Sequence, residues 1–201
     1  MSADPGPDCF APLQPLIVGI GGGATAGSST DQALSLALES ARLHGARIRF
    51  FGSAHLAALP MYMTASNGGS HGVGELIGAV REASGLILAS PGYHGTLSGM
   101  VKNAIDHLQD TAADPRPYLT DLPVGLIAVA GGYQAAVSTL ATLRTIVHAL
   151  RGWPTPLGAA INTTVTPFRN GTTTDRTVNG QIETVGRQVA SFARRMAYAA
   201  A

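Results

Sequence analysis

Three loops in the chain carry residue types from which a ligand site could be built. The first is Gly21-Gly22-Gly23-Ala24-Thr25-Ala26-Gly27-Ser28-Ser29-Thr30. Glycines let backbone N–H groups crowd around an anion, and a helix that follows adds the positive end of its dipole. Hydroxyls at Ser28, Ser29 and Thr30 add donors, so a phosphate is the natural guest. The plainer alternative is a flexible turn closed by a Ser or Thr cap. The second loop is Ser90-Pro91-Gly92-Tyr93-His94-Gly95, which fits no regular element. Pro91 fixes φ, Gly92 and Gly95 permit close approach, and Tyr93 and His94 offer flat side chains. The third is Gly131-Gly132, which opens another helix.

Other chemistries lack their residues. Gly19-Ile20-Gly21-Gly22-Gly23-Ala24 matches G-x-G-x-x-A, a dinucleotide fingerprint that calls for an acid ending the next strand. That strand, Arg47-Ile48-Arg49-Phe50-Phe51, has no acid; an arginine there suits a 2′-phosphate instead. His44, His55, His71, His107 and His148 are scattered without ligand spacing and read as surface or cap residues. No G-x-S-x-G elbow occurs. Neither a metal site nor a catalytic side chain is expected.

The elements that must position these loops follow from apolar spacing. Short apolar runs at 16–20, 46–51, 86–89, 124–130 and 157–161 read as strands. Helix-period segments lie at 30–43, 73–83 and 98–108, the last with Ser98 as a cap. A further helix after Gly132 carries the stripe Leu140, Leu143, Val147 and Leu150, and the final helix spans 181–199. A long loop is expected at 53–72 and a polar, Thr-rich loop or arm at 162–180. Buried strands alternating with helices predict an α/β fold, a parallel sheet with helices on both faces. Five strands suit the flavodoxin-like order 2-1-3-4-5, a three-layer sandwich, better than the six-stranded dinucleotide fold. Ligands in such sheets sit beyond the carboxyl ends of the strands, so the loops after strands one, three and four should converge.

Composition agrees with one globular domain, expected over 15–201, preceded by a disordered or extended segment at 1–14. The chain has 201 residues, of which 45% are hydrophobic, enough to bury a core. A charged fraction of only 12% and a net charge of +1 argue against a nucleic-acid surface. The single cysteine, Cys9, excludes a disulfide framework. The start MSADPGPDCFAP lacks a basic and apolar leader, and the apolar stretches at 16–20 and 122–130 are too short to span a bilayer. A soluble, cytoplasmic protein is expected, with no membrane partner.

The second loop and the helix after it resemble a known family. Ser90, Pro91, Tyr93, His94, Gly95, Thr96, Ser98, Gly99, Lys102, Asn103, Ala104, Ile105 and Asp106 follow, without gaps, the flavin-edge pattern S-P-E-Y-N/H-G-S/T-x-P/S-G-x-x-K-N-A-I/L-D of NAD(P)H-dependent FMN reductases. Gly92 replaces the usual Glu. The first loop is similar to the family's G-S-x-R-x-G-S-x-N phosphate loop: Gly27, Ser28 and Thr30 fall on its later part, and Gly23 and Thr25 stand where Ser and Arg are common. Leu59-Pro60-Met61-Tyr62 resembles an L-P-x-Y segment, and Gly131-Gly132 the strand-four glycine loop. The similarity covers about residues 15–160.

The resemblance implies an enzyme that passes a hydride from NADPH or NADH to FMN and then to a small-molecule electron acceptor. That acceptor could be free flavin feeding a flavin-dependent monooxygenase, a quinone, an azo dye or a metal ion. It implies FMN-binding roles for Gly23, Thr25, Ser28 and Thr30 at the phosphate, and for Pro91, Gly92, Tyr93, His94 and Gly95 at the ring. Gly131 and Gly132 would border the ring. Lys102 and Asn103 would serve helix packing, a subunit contact or the flavin surroundings; a solvated polar face is the alternative. A homodimer or homotetramer is implied, since a neighbouring subunit completes such pockets. Two other readings stay open: a non-catalytic electron carrier, disfavoured by the lack of strong acidity, and a Rossmann dehydrogenase, disfavoured by the missing ribose acid.

Overall fold

The computed structural model describes residues 14–63 and 70–199, with side chains to residue 197. The expected N-terminal segment, apart from Gln14, lies outside the described residues, as do 64–69 of the expected loop at 53–72.

Alternation along the strands explains how the sheet came to be covered on both faces. In β1 (Leu16–Gly21), Leu16, Val18 and Ile20 join one buried cluster and Ile17 the other. β3 (Gly85–Tyr93) repeats this with Leu86 and Leu88 against Ile87 and Ala89. So does β5 (Pro123–Ala130), with Val124, Leu126 and Ala128 against Ile127 and Val129. One face packs on α1 (Ser29–Leu43) and α6 (Arg176–Ala199) through Leu34, Leu38, Ile182 and Val189. The other packs on α3 (His71–Glu82), α4 (Gly99–Asp106) and α5 (Tyr133–Ala149) through Leu76, Val101 and Leu143. Each fully buried Leu or Ile contributes about 1.5–3 kcal/mol, which outweighs local propensity.

The expected order is observed. With β2 (Arg47–Phe51) and β6 (Trp153–Asn162) at the edges, the parallel order is β2-β1-β3-β5-β6, which is 2-1-3-4-5 counted over the five main strands. The chain reverses direction across the sheet between β1 and β3, so their carboxyl ends form the switch point. Edge positions explain the arginines of β2 and the prolines of β6, which an interior strand would not tolerate.

Several local expectations need correction. The second loop is not irregular: β3 runs on through Tyr93, then turns back as β4 (Thr96–Leu97), with Tyr93 opposite Thr96. Its two-residue tip has φ of 50° at His94 and 92° at Gly95, the paired positive values that a type I′ turn requires. The expected loop after β2 begins with a short helix, α2 (Ser53–Ala57). The Thr-rich arm contains a hairpin of β7 (Phe168–Arg169) and β8 (Thr172–Thr173) around Asn170-Gly171, again a positive-φ pair. The last helix starts at Arg176, inside that arm. His44 and His107 are both helix C-caps, of α1 and α4, and His107 is fully buried rather than at the surface. The His107 Nε2 lies 3.0 Å from the Pro60 carbonyl, and the Tyr62 ring stands edge-on to it.

Candidate functional site

The three turns meet at one rim of the sheet. At the end of β1, Ser28 caps α1: its Oγ accepts the Asp31 N–H at 3.2 Å and the Gly23 N–H at 3.1 Å, which folds the turn over the helix start. Gly27 takes φ of 74°, a left-handed value that its missing side chain makes inexpensive. Thr25 is exposed and its carbonyl accepts the Ser28 N–H at 3.2 Å; Thr30 is buried in the first turn of the helix.

The second turn is clamped at its base and its tip. The buried Ser90 hydroxyl donates to the Pro91 carbonyl at 2.9 Å and accepts the Ser98 N–H at 3.0 Å. Ser98 in turn caps α4 by accepting the Val101 N–H at 3.2 Å, as its position suggested. At the tip, the Ser138 hydroxyl of α5 donates to the Gly95 carbonyl at 2.9 Å. Gly92 explains itself here. A β-carbon on it would stand 2.8 Å from Thr139 Oγ1 and 3.1 Å from the Ala135 carbonyl oxygen. The glycine therefore lets α5 close directly onto the hairpin.

The third turn, Gly131-Gly132, is held from the turn after β6: Thr164 Oγ1 donates to the Gly131 carbonyl at 2.8 Å, and the Thr163 N–H to the Ala130 carbonyl at 2.8 Å. Gly132 and Gly95 both face open space. The turns touch across the rim. Tyr93 Oη stands 3.9 Å from the point that a β-carbon on Gly23 would occupy. A ring laid along β3 would thus have a hydroxyl-rich glycine turn at one end and two bare glycine surfaces beside it.

That convergence coincides with a family match. The profile of the NADPH-dependent FMN reductase family covers residues 15–166. The chain belongs to this family. A curated relative, the FMN-dependent NADPH-azoreductase of Staphylococcus saprophyticus, is 43% identical over 84 residues, which is 42% of this chain and 41% of the relative. The match therefore spans less than half the length of that relative. Solved structures share the fold. An oxidoreductase from Corynebacterium diphtheriae superposes with a TM-score of 0.70 at 21% identity, covering 90% of this chain and 98% of the other. FerB of Paracoccus denitrificans, described as a flavoenzyme NAD(P)H:(acceptor) oxidoreductase, gives 0.71 at 18% identity, covering 90% and 98%.

The three turns offer groups that could hold a flavin: open glycine surfaces and an exposed tyrosine for a ring, hydroxyls and backbone amides at the start of α1 for a phosphate. The ring side offers the open tip at Gly95, the exposed Tyr93 and the bare Gly132. On the phosphate side, residues 21–30 contain no lysine or arginine. Asp31 and Ser53, which the residue types of the turn do not single out, brace it from α1 and α2. The S-x-x-D spacing from Ser28 to Asp31, a capping-box pattern, was the available signal. A cavity of about 460 Å³ opens on the β2 side of the turn, between Gly27, Phe50, His55 and Gly171. Its walls include no residue of the second or third turn, so it is separate from the ring side of the rim.

Lys102 and Asn103 divide their roles. Lys102 pairs with Asp106 on the exposed face of α4 at 2.6 Å, whereas Asn103 points inward to the backbone at Pro60 and Tyr62. The Leu140, Leu143 and Val147 stripe is buried in the core.

Proposed function

We propose that this protein is an NAD(P)H-dependent FMN reductase, and that the rim formed by residues 23–30, 91–95 and 131–132 is its flavin site. The observation that carries this reading is the approach of Tyr93 to Gly23, which joins the ring turn and the phosphate turn into one surface. FMN bound there would supply two-electron chemistry, taking a hydride from reduced nicotinamide and passing the electrons to an acceptor.

The chain's own share is binding, orientation and charge. Backbone N–H and C=O groups of 91–95 hold the polar edge of the ring, with His94 and Gly95 free of the β-ladder at the hairpin tip. Donors fixed in a rigid hairpin favour negative charge on the ring without reorganising. Pro91 and the Ser90 clamp supply that rigidity. Gly131 and Gly132 leave the ring face open to nicotinamide or acceptor. Ser28 and Thr25 border the ribityl phosphate end. No side chain is required as a general acid, because protons can come from water.

The acceptor is a small molecule: free flavin feeding a monooxygenase, a quinone, a metal ion or, as the name of the staphylococcal relative suggests, an azo compound. Tyr133 and Val137, one turn apart on α5, are exposed beside the hairpin that Ser138 holds. A neighbouring subunit of a homodimer or homotetramer would cover them. Among the described residues no helix is long and apolar enough to cross a membrane.

The test is NADPH and NADH consumption by purified protein with and without added FMN, alongside its visible spectrum. Flavin-dependent consumption is expected. A protein that carries flavin yet never oxidises either nicotinamide is an electron carrier instead, and one that ignores flavin altogether ends the reading.

A further inference from the structure

The Thr-rich stretch after β6 touches two of the three turns. At its start, the Thr163 N–H and the Thr164 hydroxyl donate to the carbonyls of Ala130 and Gly131, on the ring side of the rim. At the tip of its hairpin, the Gly171 N–H donates to Gln32 Oε1 at 2.8 Å. The same Gln32 donates through Nε2 to the Gly27 carbonyl at 2.9 Å, on the phosphate side. The hairpin is itself anchored: Asn179 of α6 accepts the Thr173 N–H at 3.2 Å and donates to the Thr173 carbonyl at 2.9 Å. Phe168 packs against the cluster that α1 and α6 share. This hairpin lies beyond residues 15–166, which the family profile covers.

Gln32 settles the orientation of one peptide. A glycine such as Gly27, at φ of 74°, lets the peptides on either side of it rotate at little cost. Three hydrogen bonds prevent this. The Gly27 N–H donates to Asp31 at 2.9 Å, the Gly27 carbonyl accepts Gln32, and the Ser28 N–H donates to the Thr25 carbonyl at 3.2 Å. The 27–28 peptide thus keeps its carbonyl on Gln32, where it cannot turn its negative end toward an anion. None of the three bonds uses the amides of Ala24, Thr25 and Ala26, or those of Ser29 and Thr30 at the start of α1. Those amides are the donors that a phosphate takes at such a turn. A turn already held in shape binds without the cost of being ordered.

Resting on the flavin reading above, we propose that Gln32 is a positioning residue for the flavin phosphate, and that the arm at 163–173 is the brace that holds it. Gln32 acts through the Gly27 carbonyl and not by touching the flavin. The other end of the arm holds the Gly131 turn beside the ring. The preference for FMN over riboflavin therefore depends on a hairpin outside the part of the chain that matches the family.

The test is titration of FMN and riboflavin, read by flavin fluorescence, with wild type, Gln32→Met, Asn179→Ala and Thr164→Val. Methionine keeps the length and the helix propensity of glutamine but neither hydrogen bond. Gln32→Met should weaken FMN by about tenfold and leave riboflavin unmoved. Asn179→Ala, which releases the hairpin from α6 far from any flavin atom, should lower the FMN preference in the same direction, by about threefold. Thr164→Val should weaken both flavins alike. A wild-type ratio of FMN to riboflavin affinity in Gln32→Met or Asn179→Ala overturns the proposal, and so does a Thr164→Val loss confined to FMN or absent. Melting curves check that each variant is folded at the assay temperature. A measurement on the wild type stands if one is not. Coupling between two sites is reciprocal, so FMN should slow hydrogen exchange at the Gly171 amide and riboflavin should not. A Gly171 amide indifferent to FMN, or slowed equally by both flavins, refutes the brace and leaves the flavin site standing. No binding of either flavin by the wild type would remove the flavin reading itself, and this proposal with it.

Discussion

Asn103 holds the backbone at Tyr62. Its Oδ1 accepts the Tyr62 N–H at 2.8 Å while its Nδ2 donates to the Pro60 carbonyl at 2.9 Å, so one side chain on α4 fixes the segment that leaves α2. Asn103→Ala would leave the part-buried Tyr62 N–H without its partner and the Pro60 carbonyl with His107 Nε2 alone, at a cost of about 1–3 kcal/mol. Asp106→Ala, three residues on, breaks only the exposed Lys102 pair and should change stability by less than about 0.5 kcal/mol. Thermal unfolding of the two variants side by side checks the contrast; equal losses would mean that the Asn103 brace contributes nothing particular.

Gly92 should not accept a side chain. Gly92→Ala forces a β-carbon against Thr139 Oγ1 and the Ala135 carbonyl, and the helix backbone cannot yield as a side chain could. Overpacking of this kind costs about 1–3 kcal/mol, and flavin affinity should fall with it because the hairpin must shift. Thr139→Val is the counterpart: the Thr139 hydroxyl is buried with no hydrogen-bond partner among the described residues, so its removal should be neutral or stabilising by up to about 1 kcal/mol. Denaturant unfolding measures both.

Tyr93 is a binding residue in this reading and not a core one, since it is 44% exposed. Tyr93→Ala should move stability by less than about 0.5 kcal/mol yet weaken flavin binding by up to about tenfold, the worth of a good aromatic contact. Tyr93→Phe should keep most of that affinity. Fluorescence titration against a matched melting curve separates the two effects; an unaltered affinity in Tyr93→Ala would take the ring away from this hairpin.

Acid should dissolve one identifiable tie. Arg81 donates to Asp114 at 2.7 Å and holds its carboxyl below the usual carboxylate range, mainly through that hydrogen bond. Because the folded-state value is depressed, the contribution is complete above the unfolded carboxylate pKa of about 3.9 and disappears as pH falls through the folded value. The melting-temperature gap between wild type and Asp114→Asn should therefore be present at neutral pH and close in acid. The pair is exposed, so the gap should be small. A gap that widens as pH falls would reverse the assignment.

What could be read without a structure depended on the range of the interaction. The run of apolar residues in β1, β3 and β5 announced buried parallel strands because both faces must be covered. Ser98 was recognisable as a cap because a cap is settled within four residues of chain. The hairpin at 92–97 was hidden because His-Gly stands where Asn-Gly is the familiar signal, and Asn170-Gly171 was absorbed into a polar stretch. His107 was readable as a surface or cap residue but not as a buried one, because its partners Pro60 and Tyr62 lie more than forty residues away.

The amino-acid order by itself determined the alternation of strands and helices, the strand order across the sheet and the three glycine-bearing turns. Each follows from local periodicity and from the short list of ways to cover a parallel sheet. Only the tertiary structure decided what those turns face. Gly92 matters because α5 lies on it, and Tyr93 because the hairpin aims it at Gly23. Asp31 matters because Ser53, from just beyond the next strand's end, fixes its carboxylate against the Gly27 N–H. Such contacts join residues far apart in the chain, and no spacing rule within a single segment contains them.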